Sequence, residues 1–272
     1  MTAHDDAPGG GPSAGPSAAP PPPRAGRWTW DPHQRLRDAI DRARSPEFHL
    51  PEKVRFEMRR KVLHVLTAVL AVPLLLLLPF YVAFTLAVTG ILVVSLTWGI
   101  ERKRIPAELK GPLHEPLAEV LQKTRRPHED FPWSPVLYTL SLIIIGVAHQ
   151  FFGLSWAIAF GAYAILGIGD AASALVGVAY GRRKLAWNRK KSAEGTLAGL
   201  VAGFLAGVVM ASVPYAFAGL VIPPLILPVV LVGATAGALA ETIPNVEDNF
   251  VVPLAAAAAM WAAALALGVP LP

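Results

Sequence analysis

The chain has 272 residues, of which 54% are hydrophobic and only 16% charged, with 24 Lys and Arg against 19 Asp and Glu. A mean hydropathy of +0.48 lies outside the soluble globular range and indicates a polytopic membrane protein. There is no cysteine, which excludes disulfides, thiolate metal sites and cysteine nucleophiles.

Residues 1–23 hold seven Pro and four Gly with no basic residue, so the chain to about position 27 reads as a disordered tail without a secretory signal pattern. The segment 28–54 follows as a cytosolic amphipathic stretch. Within it, residues 32–44 set Leu36, Ile40 and Ala43 against charged neighbours, and Trp28 and Trp30 precede them. Such a helix lies on a membrane surface. A second one is expected over 113–124, with Leu113, Leu117, Val120 and Leu121 on one face.

The cations fall in three clusters: eleven in residues 24–61, seven in 102–126 and six in 182–191, with none in the 81 residues after Lys191. Basic clusters can mark nucleic-acid binding, but these alternate with apolar spans, and the positive-inside rule accounts for them without a nucleic-acid partner. About 20 apolar residues cross a bilayer as a helix. Spans are expected near 62–79, 80–99, 134–152, 154–180, 194–213, 224–240 and 250–268. The fold class is therefore an all-α polytopic membrane protein with about seven transmembrane helices. The three basic clusters face the cytosol and the C-terminus lies outside. The fourth span is expected to break at Gly167–Gly169, and Pro214, Pro223, Pro224 and Pro228 make the region before the sixth irregular.

Asp170 is a lone carboxylate in an apolar segment, which is expensive and marks a functional site. Ala174, Gly177 and Gly181 share its helical face. A face of small residues admits another backbone or a flat ligand, and helix packing is its plain explanation. The cations Arg182, Arg183, Lys184, Arg189, Lys190 and Lys191 follow, then Ser192, a good N-cap for the fifth span. The N–H groups of residues 193–195, with two lysines beside them, form an anion site in this reading. Glu194 either binds metal or complements the helix dipole. Gly195, Gly199, Gly203 and Gly207 recur down the fifth span, and Gly233, Gly237 and Glu241 down the sixth. A Gly-lined contact between these two spans is expected to bring Glu241 to the Glu194 edge. Glu247, Asp248 and Asn249 complete an acidic loop whose hard oxygen ligands suit Mg²⁺ held jointly with phosphates. Arg59, Arg60 and Lys61 precede the first span, with His64 one turn inside it; positive-inside charge explains the cations about as well as phosphate binding does.

These residues resemble the CTP-dependent lipid kinase family, which includes dolichol kinase, phytol kinase and the yeast-type diacylglycerol kinase. The family segment D-x-x-A-x-x-x-G-x-x-x-G, eight residues, then K-K-[ST]-x-E-G corresponds to Asp170, Ser173, Gly177, Gly181, Lys190, Lys191, Ser192, Glu194 and Gly195, with Ser173 where alanine is usual. The RRKxxH run ending at His64 and the close formed by Glu241, Asp248, Asn249 and Pro253 also look like the family, while Glu247 stands where a second aspartate is frequent. The resemblance covers roughly residues 55–268, within a membrane-embedded lipid kinase domain at 55–272. It implies transfer of the CTP γ-phosphate to a lipid alcohol: a polyprenol or dolichol first, phytol, geranylgeraniol or a diacylglycerol-like lipid otherwise. It implies Asp170, Glu241 and Asp248 as catalytic residues holding Mg²⁺, Asp170 being the first choice of base. Gly177, Gly181, Lys190, Lys191, Ser192, Glu194, Gly195, Arg60, His64 and Asn249 become the nucleotide-binding set. The expected partners are CTP, the lipid alcohol and the bilayer; a homodimer is left open. The expected location is the cell membrane, with the active site on the cytoplasmic side.

No Walker A motif is present, so a P-loop kinase is not expected. Two other readings stay open. Phosphatidate cytidylyltransferases also use CTP, but their His-Gly-Gly…Asp-Arg element has no counterpart, since no His follows His149 and no Arg follows Arg189. A transporter fits an intramembrane acid, but its site belongs at the midplane rather than at one membrane edge.

Overall fold

A computed structural model describes residues 61–62, 65–68, 78–102, 114–124 and 131–271. Among them all regular structure is helical, apart from one isolated antiparallel bridge between Lys184 and Ser192. The tail at 1–27, the amphipathic segment at 28–54 and most of the span expected at 62–79 lie outside the described residues. Among the described residues, five helices are long and apolar enough to cross a membrane.

The first, α1 (Phe80–Glu101), starts directly after Pro79, whose fixed φ suits a helix start. It ends at Arg102, with the guanidinium 4.7 Å above the Trp98 ring. The helix α2 (His114–Thr124) is the amphipathic segment expected at 113–124, but it buries a different stripe. His114, Ala118 and Leu121 face inward at i, i+4 and i+7, whereas Val120 is exposed. The inward set follows the 3.6-residue period, which Val120, next to Leu121, does not share.

Helix α3 (Trp133–Phe152) stops at Gly153, whose φ of 74° is left-handed. Ser155 then caps α4 (Trp156–Ala164) by accepting from the Ala157 N–H at 3.0 Å. Every residue from Ala157 to Ala164 is buried, so α4 is the centre of the bundle. It runs without a break through a π-helical turn, Ile165–Gly169, into α5 (Asp170–Tyr180). The expected weak point at Gly167–Gly169 is therefore a widened turn rather than an interruption. Such turns occur mostly where a side chain must be re-aimed, often at functional sites.

Three helices close around this axis: α6 (Ala193–Phe217), α7 (Ile226–Glu241) and α8 (Asp248–Leu267). At 16 residues α7 spans about 24 Å, short of the roughly 30 Å hydrocarbon core. Pro214 does not end the fifth span as expected; α6 carries it and continues to Phe217. Pro253 lies within α8 and leaves the Asn249 carbonyl without its i+4 donor. The Ser141 hydroxyl of α3 lies 3.3 Å from that carbonyl, though its shorter bond is to the Tyr138 carbonyl at 2.7 Å.

The glycine stripe of α6 has the expected partner and a second one. A Cβ on Gly195, Gly199 or Gly203 would meet Ser173, Gly177 or Gly169 of the central helix, while one on Gly199 would also lie 3.5 Å from Glu241 Oε2 and one on Gly207 2.8 Å from Val230 Cγ1, both on α7. Gly233 and Gly237 of α7 face Met260, Val252 and Ala256 of α8, and Ile165. The α6 stripe thus admits α7, as expected, and the central helix as well, while the α7 stripe also takes α8. On the opposite side of α6, Leu197, Val201, Leu205 and Val209 are exposed. Glycines inward and branched apolar residues outward is the pattern of a lipid-facing helix.

Candidate functional site

The π-helical turn delivers Asp170 as the first residue of α5, almost fully buried. One turn later Ser173 lies on the same face, also buried. Across from them α7 ends at Glu241, and α8 begins at Asp248 after a short turn in which Asn245 has a φ of 61°. Glu241 and Asp248 stand at helix ends, and Asp170 faces them from within the unbroken helix Trp156–Tyr180. One oxygen each from Asp170, Glu241 and Asp248 lies within 4.8 Å of the others. About 70 residues of sequence separate the first from the second, and α6 passes between them in the chain.

Two lysines meet this cluster. Lys61, buried ahead of the first expected span, donates to Asp170 Oδ2. Lys191 donates to Glu241 Oε1 at 2.6 Å and to Asp248 Oδ2 at 3.2 Å. Burial opposes the charge on Lys191, but Glu241, Asp248 and Asp170 together outweigh it and hold its pKa above the ordinary lysine value. Lys191 is therefore an ammonium at any physiological pH. Three carboxyl groups and two lysine side chains thus share a largely buried space. Glu241 Oε1 accepts a further bond from Ser173 Oγ at 2.7 Å.

The basic segment 182–191 forms a structured hairpin-like strap. Leu185 N–H donates to Lys191 O, and Ala193 N–H to Arg183 O. Trp187 Nε1 donates to Thr242 Oγ1 at 3.2 Å, and Asn188 Nδ2 to Thr242 O at 3.1 Å. These bonds fasten the strap to the end of α7, next to Glu241, and so fix where Lys191 points.

Of the residues expected to form the site, Asp170, Glu241, Asp248 and Lys191 come together. Others have different employment. Lys190 is exposed. Ser192 caps α6 as expected, accepting from Gly195 N–H at 3.2 Å. Since the Ala193 N–H is bonded to Arg183 O as well, the helix start is closed internally and does not present the open anion site expected of residues 193–195. Glu194 accepts from the Arg182 and Arg183 N–H groups at 3.1–3.2 Å, so it shapes the strap and stands outside the acidic cluster. Gly177 and Gly181 offer no room for a flat ligand. A Cβ on Gly181 would fall 2.5 Å from Ser192 Oγ, and one on Gly195 would fall 3.0 Å from Gly177 Cα, so α6 fills that face. Asn249 is buried and donates to Ser134 Oγ of α3, tying α8 to α3 rather than reaching a ligand. Arg60 and His64 lie outside the described residues.

The sequence reading named Lys61 in the RRKxxH run and Ser173 in the segment after Asp170 but gave neither a place in the cluster. Lys61 had a signal, because a lysine entering an apolar span needs a counter-ion and Asp170 needs one too. Ser173 had none beyond its place one turn after Asp170. A scan of protein-family models, a search of curated proteins and a search of solved structures find no match to this chain.

Proposed function

We propose that this chain is a membrane-embedded kinase that transfers the γ-phosphoryl group of CTP to a lipid alcohol. A polyprenol or dolichol is the first candidate acceptor, with phytol, geranylgeraniol and diacylglycerol-like lipids as the others. In this reading the seven spans place the strap and the acidic cluster at the cytosolic edge. The observation that carries it is the convergence of Asp170, Glu241 and Asp248 with Lys61 and Lys191 at one end of the bundle. Glu241 and Asp248 stand at helix ends, which favours an edge site over the midplane site of a transporter, and Asp170 joins them from within the unbroken helix Trp156–Tyr180.

The donor set suits a divalent cation. Hard carboxylate oxygens are the ligands Mg²⁺ takes, and the three acids bring one oxygen each to within 4.8 Å of one another. Asp170, Glu241 and Asp248 would hold the ion, which supplies neutralisation of phosphate charge. Lys191 and Lys61, already ammonium donors at the cluster, turn to phosphate oxygens when the nucleotide arrives. Phosphoryl transfer needs positioning and charge neutralisation more than covalent help from the protein. The lipid oxygen attacks the γ-phosphorus as the bond to the β-bridging oxygen breaks. CDP leaves, and the hydroxyl proton passes to a carboxylate, Asp170 being the first choice.

The test is product analysis with purified protein, Mg²⁺, CTP and a panel of lipid alcohols. CDP and a lipid monophosphate accumulating in equal amounts support the proposal. Pyrophosphate with a CDP-lipid assigns the chain to cytidylyl transfer instead, and no nucleotide turnover with any acceptor removes the kinase reading.

A further inference from the structure

Glu241 has two partners on a single oxygen: the Lys191 ammonium at 2.6 Å and the Ser173 hydroxyl at 2.7 Å, both on Oε1. The two are not equivalent. Lys191 stands on the strap, shares its ammonium with Asp248, and is only partly buried. Ser173 stands on the central helix one turn from Asp170 and is buried. Its surroundings hold it in place. The α6 backbone is so close that a Cβ on Gly199 would lie 2.9 Å from Ser173 Cβ, and a Cβ on Gly195 would lie 2.8 Å from the Ser173 carbonyl. Glu241 Oε2 lies on the same glycine face, 3.5 Å from the Cβ position of Gly199.

We infer that Ser173 is a positioning residue: its hydroxyl fixes the Glu241 carboxylate in the orientation that presents it to a divalent cation held with Asp170 and Asp248. This rests on the metal-dependent reading above and adds to it a residue that touches neither metal nor substrate. A cation entering the cluster and phosphates nearby both draw Lys191 away from Glu241, by replacing its charge and by competing for its protons. The neutral hydroxyl has no such competitor. Ser173 is therefore the partner that keeps Glu241 oriented in the loaded site. Donors that orient a ligating carboxylate typically change metal affinity or activity 10- to 100-fold when removed. The spacing is also economical: i and i+3 on one helix put a ligand, Asp170, and the orienter of a second ligand, Ser173, side by side.

The experiment measures Mn²⁺ binding to purified full-length protein by electron paramagnetic resonance, without nucleotide or turnover. Ser173→Ala should bind Mn²⁺ about ten-fold more weakly than wild type. Ser173→Cys, of similar size but a weak donor, should fall between the two. In chelator all three should melt within a degree or two of one another, whereas the melting-temperature rise produced by Mn²⁺ should shrink in Ser173→Ala. With activity as readout, the Mg²⁺ requirement should rise while the CTP and lipid requirements at saturating Mg²⁺ stay put. If Ser173→Ala binds Mn²⁺ as tightly as wild type, the positioning role is wrong and the metal site stands. If wild type binds no Mn²⁺, both fall. If Ser173→Ala is unstable in chelator while Ser173→Cys is stable and binds as wild type, the hydroxyl serves packing only and the inference is overturned.

Discussion

Asp170 carries two burdens that substitutions can separate. It is a buried counter-ion for Lys61 and, in the proposed reaction, a metal ligand. Removing one partner of a buried ion pair costs about 3–5 kcal/mol, because the other charge is left uncompensated. Asp170→Asn should therefore abolish turnover and also lower the melting temperature in detergent. Adding Lys61→Met should restore most of the melting temperature but none of the activity. Activity returning in the double variant would mean that Asp170 serves only to neutralise Lys61. A second contrast concerns the strap. Lys191 bonds to Glu241 and Asp248, whereas Lys190 and Arg182 are exposed. Lys191→Ala should raise the KM for CTP at least ten-fold, and Lys190→Ala and Arg182→Ala should change it less than three-fold, a spread expected when only the desolvated charge is held in a shaped site. Equal losses from all three, measured by initial rates against CTP concentration, would show that general positive charge is what matters.

At the scale of elements, the glycines decide how close the helices come. A Cβ on Gly199 meets Ser173 Cβ at 2.9 Å and the Gly169 carbonyl at 3.0 Å, neither of which can move without moving the central helix. Gly90 of α1 has nothing within 4 Å of the same position. Gly199→Ala should cost about 1–3 kcal/mol through overpacking, with loss of activity because Glu241 and Ser173 are pushed apart. Gly90→Ala should be neutral or slightly stabilising, by up to about 1 kcal/mol of helix propensity. Thermal melts of the two variants give the comparison. The glycine repeats were plain in the sequence, and so was the Ser192 cap, because both are local chemistry with a fixed period. Their contacts with the central helix and α8 were not, because spacing tells which face is small but not every neighbour that fills it. The same limit explains Glu194. Its place in the first turn of α6 was legible, but its bonds to Arg182 and Arg183 depend on how the strap folds back. Lys61 and Asp170 are far apart in sequence, and only their shared need for a counter-ion connects them.

For the whole molecule, the apolar helices follow the expected spans to within a few residues, because runs of about 20 apolar residues have few alternatives in a bilayer. The junction of α5, α7 and α8 was legible as a set of acids but not as one place. Its convergence comes from α6 packing on both the central helix and α7, and from α7 packing along α8. Orientation follows from the strap, whose six cations should face the cytosol while the end of α8 faces outside. The absence of cysteine makes this testable: single cysteines at positions 187 and 271 should react with an impermeant maleimide from opposite sides of the membrane. Reaction from the same side would contradict the assignment.

The most direct test of phosphoryl transfer follows two labels from one nucleotide. Purified protein in mixed micelles with Mg²⁺ and a polyprenol is given either γ-³²P-labelled or α-³²P-labelled CTP. Transfer of the terminal phosphoryl group predicts label in the lipid fraction from the γ-labelled nucleotide only, lost in Asp170→Asn. Label entering lipid from the α-labelled nucleotide, or from neither with every acceptor on the panel, would contradict it.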